Sequence, residues 1–173
     1  ASNFALKHFG AVMGQREGRQ GQPYAIPTIG GTIGLNEIRK SLYALYPGSW
    51  TTTIADLGDI NKGERVEDTY FALKTTITTL IKKKIIPIII GGSQDLTYPT
   101  YRAYDELIPM VNIVSVDCSF NLGDAAKPIK NNNFVGKIIL DEPYNLFNYA
   151  NVGYQTYFNS QEEIDLMDKL YFE

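Results

Sequence analysis

The 173-residue sequence holds one cysteine and one histidine, Cys118 and His8. A single cysteine excludes an internal disulfide framework and suits a reducing compartment, so a cytoplasmic setting is expected. A single histidine excludes any mechanism that needs two imidazoles from these residues. Positive charge is also scarce: 16 Lys and Arg stand against 19 Asp and Glu, a net charge of −3. The only basic cluster is Lys82-Lys83-Lys84, so nucleic acid is not an expected partner. No apolar run approaches the length of a bilayer span and no signal peptide opens the chain, so no membrane partner is expected either. Repeats and Gly/Ser linkers are missing too, and the length suits one domain over residues 1–173.

What is present is globular in composition, 44% hydrophobic and 20% charged, with 12 Tyr and 8 Phe. Phe9 to Met13 reads as a short strand. Gly14 to Gly34 reads as a long loop, with five glycines between Gly14 and Gly31 and prolines at Pro23 and Pro27. Asn36 is a reasonable N-cap for a helix through Tyr46, with Ile38, Leu42 and Leu45 on one stripe. Trp50 to Leu57 reads as a strand running into a turn at Gly58-Asp59.

Val66, Tyr70, Leu73, Ile77, Leu80 and Ile81 recur at spacings of three and four, which predicts an amphipathic helix over 65–84. Its closing lysines complement the helix dipole. Ile85 to Ile90 is apolar on both faces and suits a central parallel strand, with Pro87 marking its first residues or a bulge. A turn at Gly91-Gly92-Ser93 leads to a helix from Asp95 to Ile108 with Pro99 in its first turns. Val111 to Asp117 is a further strand ending on an acid. Phe120 to Asn133 reads as polar loop, and Gly136 to Leu140 and Asn151 to Phe158 as short strands. Ser160 to Glu163 forms a capping box for a helix from Ile164 to Phe172. The alternation of strand and helix over residues 50–117 argues for an α/β fold with a mainly parallel sheet.

In parallel sheets ligands bind beyond the carboxyl ends of the strands. Two such ends stand out here, Ile90 to Asp95 and Val116 to Asn121, and they are expected side by side on consecutive strands. An ordinary glycine turn before a helix, and a strand running out into a polar loop, would have the same composition. Cys118 as a nucleophile would need a base beside it, and the sole histidine is remote in sequence. Asp56 and Asp59 fit an acid–base pair or, more commonly, a turn. Tyr98, Tyr101 and Tyr104 on one helix, and Tyr144, Tyr149, Tyr154 and Tyr157 later, suggest packing or a subunit contact.

Gly-Gly-Ser-Gln-Asp-Leu-Thr-Tyr-Pro (Gly91 to Pro99) followed by Val-Ser-Val-Asp-Cys-Ser-Phe-Asn (Val114 to Asn121) resembles the ureohydrolases, the arginase, agmatinase and formimidoylglutamase group. The family pattern there is Gly-Gly-Asp-His-Ser and then Asp-Ala-His-x-Asp. Gly34-Leu35-Asn36-Glu37-Ile38-Arg39 resembles the family's Gly-Pro-x-x-Ile-Arg helix start, and Ala55 to Asp59 resembles its Asp-x-Gly-Asp turn. The likeness covers about residues 34–121 and is greatest to the formimidoylglutamase-like branch. It implies a three-layer α/β/α sandwich, here expected as the N-terminal part of a longer fold with one sheet edge left open for association between chains. It also implies hydrolysis of a guanidino or formimino carbon–nitrogen bond by hydroxide bridging two Mn2+ ions.

Carried over by position, the implied ligand set is depleted. The family's first histidine falls on Gln94, its first aspartate on Asp117, its second histidine on Ser119 and its closing aspartate on Asn121. Asp117 alone keeps the ligand type, and no Ser-Phe-Asp-x-Asp motif lies before Glu173. Asp95 and Asp124 are the nearby acids that offer themselves as substitutes, although a shift of one residue at a strand end turns the side chain elsewhere. Arg16, Glu17 and Arg19 lie in the loop that faces the site in the resembled fold, and would either hold an anionic substrate or keep that loop soluble. The expectation is therefore a pseudoenzyme or scaffold without bound metal, homo-oligomeric, able to take a small ligand in the old cleft. The alternative is an active formimidoylglutamase-type hydrolase with a rebuilt site.

Overall fold

The structure is a computed structural model that describes residues 24–29, 33–46, 53–61, 63–91 and 93–173. The chain divides into two compact units, residues 1–92 and 93–173. The expected strand at Phe9 to Met13, His8, and the Arg16, Glu17 and Arg19 group lie outside the described residues.

The first unit carries β1 (Tyr24–Ile29), α1 (Ile33–Tyr43), β2 (Ile54–Ile60), α2 (Val66–Lys82) and β3 (Ile86–Pro87). The three strands pair in parallel in the order β2-β1-β3. β1 corrects the expected long loop: Tyr-Ala-Ile-Pro-Thr-Ile is rich enough in apolar and β-branched residues to make a strand despite Pro27. The ladder accommodates that proline, which has no N–H, by shifting register between Ile26 and Pro27, so that Leu57 on β2 has no partner and Gly58 pairs with Pro27. Gly58 sits at φ +78, a left-handed conformation that glycine adopts without cost. The expected turn at Gly58-Asp59 is thus a bulge inside the strand.

α1 begins at Ile33, three residues before the expected cap, and Ile38 and Leu45 are exposed. α2 follows its periodicity: Leu73, Ile77 and Leu80 are buried, with Leu80 packed on Ile85 and Leu57. Arg65 N–H donates to Asp68 Oδ2 at 2.9 Å, satisfying one of the helix's entry donors. The isoleucine run is not a long central strand. Its strand is Ile86–Pro87 with one further bridge at Ile90, since Pro87 removes a ladder donor in the middle of the run, and Ile86 and Ile88 are exposed.

The second unit opens with a 3-10 turn (Gln94–Leu96) and continues with α3 (Thr97–Asp105), β4 (Val111–Val116), α4 (Phe134–Leu140), β5 (Leu146–Val152), a second 3-10 turn (Thr156–Phe158) and α5 (Gln161–Lys169). β4 and β5 pair in parallel as a separate two-stranded sheet.

Two further expectations change. Gly136 to Leu140 is helix, not strand: Phe134, Val135 and Ile138 fall on one helical face and are all buried. Gly136 is required there, since a Cβ would lie 2.0 Å from the Leu122 carbonyl oxygen. The later strand is Leu146–Val152, not Asn151 to Phe158, because buried Asn151 finds partners within the core and so does not end the strand. The core gathers Tyr101, Val111, Phe120, Phe134, Ile138 and Tyr149, closed by Met167 from α5.

α5 bears out its capping box. Ser160 Oγ accepts from Glu163 N–H at 3.2 Å, and Glu163 Oε2 accepts from Ser160 N–H at 2.9 Å. It ends in a Schellman arrangement with Tyr171 at φ +57, Tyr171 N–H donating to the Asp168 carbonyl and Phe172 N–H to the Met167 carbonyl. Glu173 then lies beside β5, donating to the Tyr149 carbonyl and accepting from Asn151 N–H, the pattern of a parallel bridge. No helix among the described residues is long and apolar enough to cross a membrane.

Candidate functional site

The β4 ladder runs one residue beyond the strand, where Asp117 N–H donates to the Val152 carbonyl at 3.2 Å. This sets the Asp117 side chain at the carboxyl end of two parallel strands, with the chain then folding over on itself. Gln94 Nε2, from the turn before α3, donates to Asp117 Oδ2 at 2.5 Å. Asn121 Nδ2 donates to the same oxygen at 2.9 Å and to the Ser119 carbonyl at 3.1 Å. Ser119 N–H donates to Asp117 Oδ1 at 3.2 Å. Three of the four residues singled out from the sequence thus meet by side chain, and the fourth, Ser119, joins through its backbone.

Asn121 reaches both partners because its backbone is left-handed, φ +58, a conformation asparagine tolerates better than most residues. Val135 N–H holds its carbonyl at 3.1 Å. Partial burial works against the charge on Asp117, but the Asn121, Ser119 and Gln94 donors and the Cys118 thiol outweigh it and hold the carboxyl below the ordinary carboxylate range.

The other candidates are occupied elsewhere. Asp95 is buried and accepts from the Ser93 hydroxyl. Asp124 is exposed, accepting from Ala126 N–H at 3.0 Å and pairing with Lys127 at 3.3 Å. Cys118 is half-buried, its Sγ 3.8 Å from Ser119 Oγ. Tyr98 donates to Asp141 at 2.5 Å, Tyr101 and Tyr149 are buried in the core, and Tyr144, Tyr154 and Tyr157 are exposed. In the first unit Asp56 and Asp59 are gripped by one guanidinium: Arg39 Nε meets Asp56 at 2.9 Å and its terminal nitrogen meets Asp59 at 2.8 Å. Tyr43 also donates to Asp56, whose other oxygen accepts from Gly58 N–H at 2.8 Å.

The sequence profile of the arginase family matches residues 12–173. The chain belongs to the arginase family. Formimidoylglutamase from Hahella chejuensis (strain KCTC 2396) is 28% identical over 153 residues, 82% of this chain and 46% of that protein. Among solved structures, a formiminoglutamase variant from Trypanosoma cruzi with Mn2+ superposes with a TM-score of 0.72 at 15% identity, covering 97% of this chain and 62% of that one. A quadruple mutant of the T. brucei arginase-like protein reaches 0.67 at 17% identity, covering 99% and 64%. The fold is therefore arginase-like, and the chain spans about half the length of the curated relatives it matches.

Membership of the arginase family implies a pair of manganese ions, and of the four positions gathered here only Asp117 offers a charged oxygen ligand. A carboxylate only accepts hydrogen bonds, so the amides of Gln94 and Asn121 must turn their NH2 groups toward it, which directs their carbonyl oxygens, the only atoms that could ligate a cation, away. Two divalent ions need several carboxylates to offset their charge. Among the described residues no three His, Cys, Asp or Glu side chains form a group that could hold a metal ion.

Three asparagines that support the site escaped the sequence reading. Asn151 Nδ2 donates to the Ser119 carbonyl at 2.9 Å and, at 3.3 Å, to the Tyr149 hydroxyl, which in turn donates to the Phe120 carbonyl at 3.1 Å. Asn133 ties the Asp124 and Pro128 carbonyls together. Asn159 reaches the strand-end loop from across the unit. A buried polar residue on an otherwise apolar strand, as at Asn151, is the signal that would have found one of them.

Proposed function

We propose that this chain is a ureohydrolase-like pseudoenzyme module: an arginase-family scaffold whose former dimanganese position is filled by hydrogen-bonding amides. In this reading it does not hydrolyse guanidino or formimino bonds, and serves homo-oligomeric assembly or the binding of a small molecule in the old cleft, in the cytoplasm. The observation that carries it is the convergence of Gln94 Nε2 and Asn121 Nδ2 on one oxygen of Asp117. A cation arriving there would have to displace hydrogen bonds to a charged group, each worth about 1.5–3 kcal/mol, and would gain a single carboxylate in return.

The T. brucei relative offers a parallel in its substitutions. Three serines become aspartate and an arginine becomes histidine, and three of those four positions are spaced two residues apart. Asp117, Ser119 and Asn121 have the same spacing here.

A second reading, a formimidoylglutamase-type hydrolase with a rebuilt site, is favoured by one observation: both curated relatives bear that name. The two readings separate on the intact protein purified with added Mn2+. Bound metal is measured by elemental analysis, and release of formamide, urea or ammonia is assayed with N-formimino-L-glutamate and with guanidino compounds. Substoichiometric manganese and no turnover are expected. Stoichiometric metal with turnover overturns the pseudoenzyme reading in favour of the second.

A further inference from the structure

The segment between β5 and α5, together with the first turn of α5, grips the strand-end loop at two points. Asn159 Oδ1 accepts from Phe120 N–H at 2.7 Å, while its Nδ2 donates to the carbonyls of Cys118 at 3.0 Å and Gln155 at 2.8 Å. One side-chain amide therefore stands where a neighbouring strand's backbone would, satisfying the loop on both sides of Ser119. Gln155 N–H adds a bond to the Cys118 carbonyl at 2.9 Å. The second grip is Glu163, whose Oε1 accepts from Gly123 N–H at 3.2 Å. Between the two lies Asn121, buried and left-handed, an arrangement that persists only where its surroundings over-determine it.

We infer that Asn159 is a positioning residue for the Asp117 site: by clamping the backbone at Cys118 and Phe120 it sets the turn that aims the Asn121 amide at Asp117. This deepens the proposed function and rests on taking the Asp117 loop as the site. Its test does not depend on whether that site takes metal.

The test compares side-chain amide resonances and backbone hydrogen exchange, by NMR of the whole chain, in Asn159→Ala, Asn159→Asp and Ser160→Ala. Asn159→Ala should move the Asn121 side-chain NH2 signals toward free-amide positions and speed exchange of Phe120 N–H about fivefold. Asn159→Asp keeps the acceptor for Phe120 but loses both donations. It should preserve Phe120 protection while still shifting Asn121, and it provides the reading if the alanine variant does not fold.

Ser160→Ala removes the Oγ that accepts from Glu163 N–H while keeping every bond that Asn159 makes, so it should lower Tm and leave the Asn121 signals in place. Unmoved Asn121 signals in both Asn159 variants overturn the inference. So does an equal movement in Ser160→Ala, which would mark Asn159 as a helix support only. Metal found in the unmodified protein would instead strike the functional reading and leave this clamp standing.

Discussion

Asn121 Nδ2 lies 2.9 Å from Asp117 Oδ2, a neutral donor on a carboxylate four residues earlier in the chain. Replacing that donor by an acid inverts the interaction. Asn121→Asp alone should place two carboxylates in contact, with a stability loss of about 1–3 kcal/mol at neutral pH. The new acid's folded pKa is raised by its neighbour's charge, so the loss should shrink on acidification through the carboxylate range. Thermal unfolding at pH 7 and pH 4 checks this. A variant equally destabilised at both values would mean that repulsion is not the cause.

Much of the site was legible before its geometry was known. Asp117, Ser119 and Asn121 stand at i, i+2 and i+4 after an apolar run and Gln94 follows a glycine turn, so pattern put them at strand ends, while the family resemblance singled them out as ligand positions. That the amides bond to Asp117 was not legible, since it depends on a left-handed backbone at Asn121 that pattern does not encode. α2 was readable over nearly its whole length because its 3.6 period is sustained. α4 was misread because Val135, Ile138 and Ile139 carry strand propensity, and tertiary burial of Phe134, Val135 and Ile138 overrode it. β1 was hidden by Pro27, which a bulge in its partner accommodates.

Asp56 makes a second pH-dependent contribution, in the first unit. Burial disfavours its charge, but the Tyr43 hydroxyl, the Gly58 N–H and the Arg39 guanidinium prevail and hold its carboxyl below the ordinary range. A depressed carboxyl stabilises the fold above its unfolded pKa of about 3.9, and that stabilisation is lost as pH falls through the lower folded value. Arg39→Ala should therefore lower Tm near pH 7 and flatten the acid limb of the Tm–pH curve. An acid limb parallel to that of the parent would show that Asp56 is not linked to folding through Arg39.

Tyr98 works at the opposite end of the scale. Burial, with Asp141 accepting its hydroxyl at 2.5 Å, pushes its pKa up to about 12. A raised tyrosine pKa contributes stability that is complete below the unfolded value of about 10 and disappears as pH rises through the folded value. Tyr98→Phe should cost about 1 kcal/mol at neutral pH for the lost hydrogen bond. It should also reduce the alkaline loss of stability between pH 10 and 12. Phenolate absorbance during titration should show one fewer late-titrating tyrosine in the variant.

The strongest demand falls on restoration of the donor set. Gln94→His, Ser119→His and Asn121→Asp together give the four positions two imidazoles and, with Asp117, two carboxylates. They also remove both amide donors that occupy Asp117 Oδ2. If the amides alone keep a divalent ion out, the triple variant of the intact protein should bind Mn2+ and its Tm should climb with metal concentration. The gain approaches about 2.7 kcal/mol when free metal is a hundred times Kd. The parent should show no such climb. Asn121→Asp by itself should respond weakly, since two carboxylates without an imidazole leave coordination incomplete. A triple variant whose Tm ignores Mn2+ would mean that these four positions do not converge closely enough to share an ion, and the loss of the metal site would then lie in the backbone rather than in the side chains.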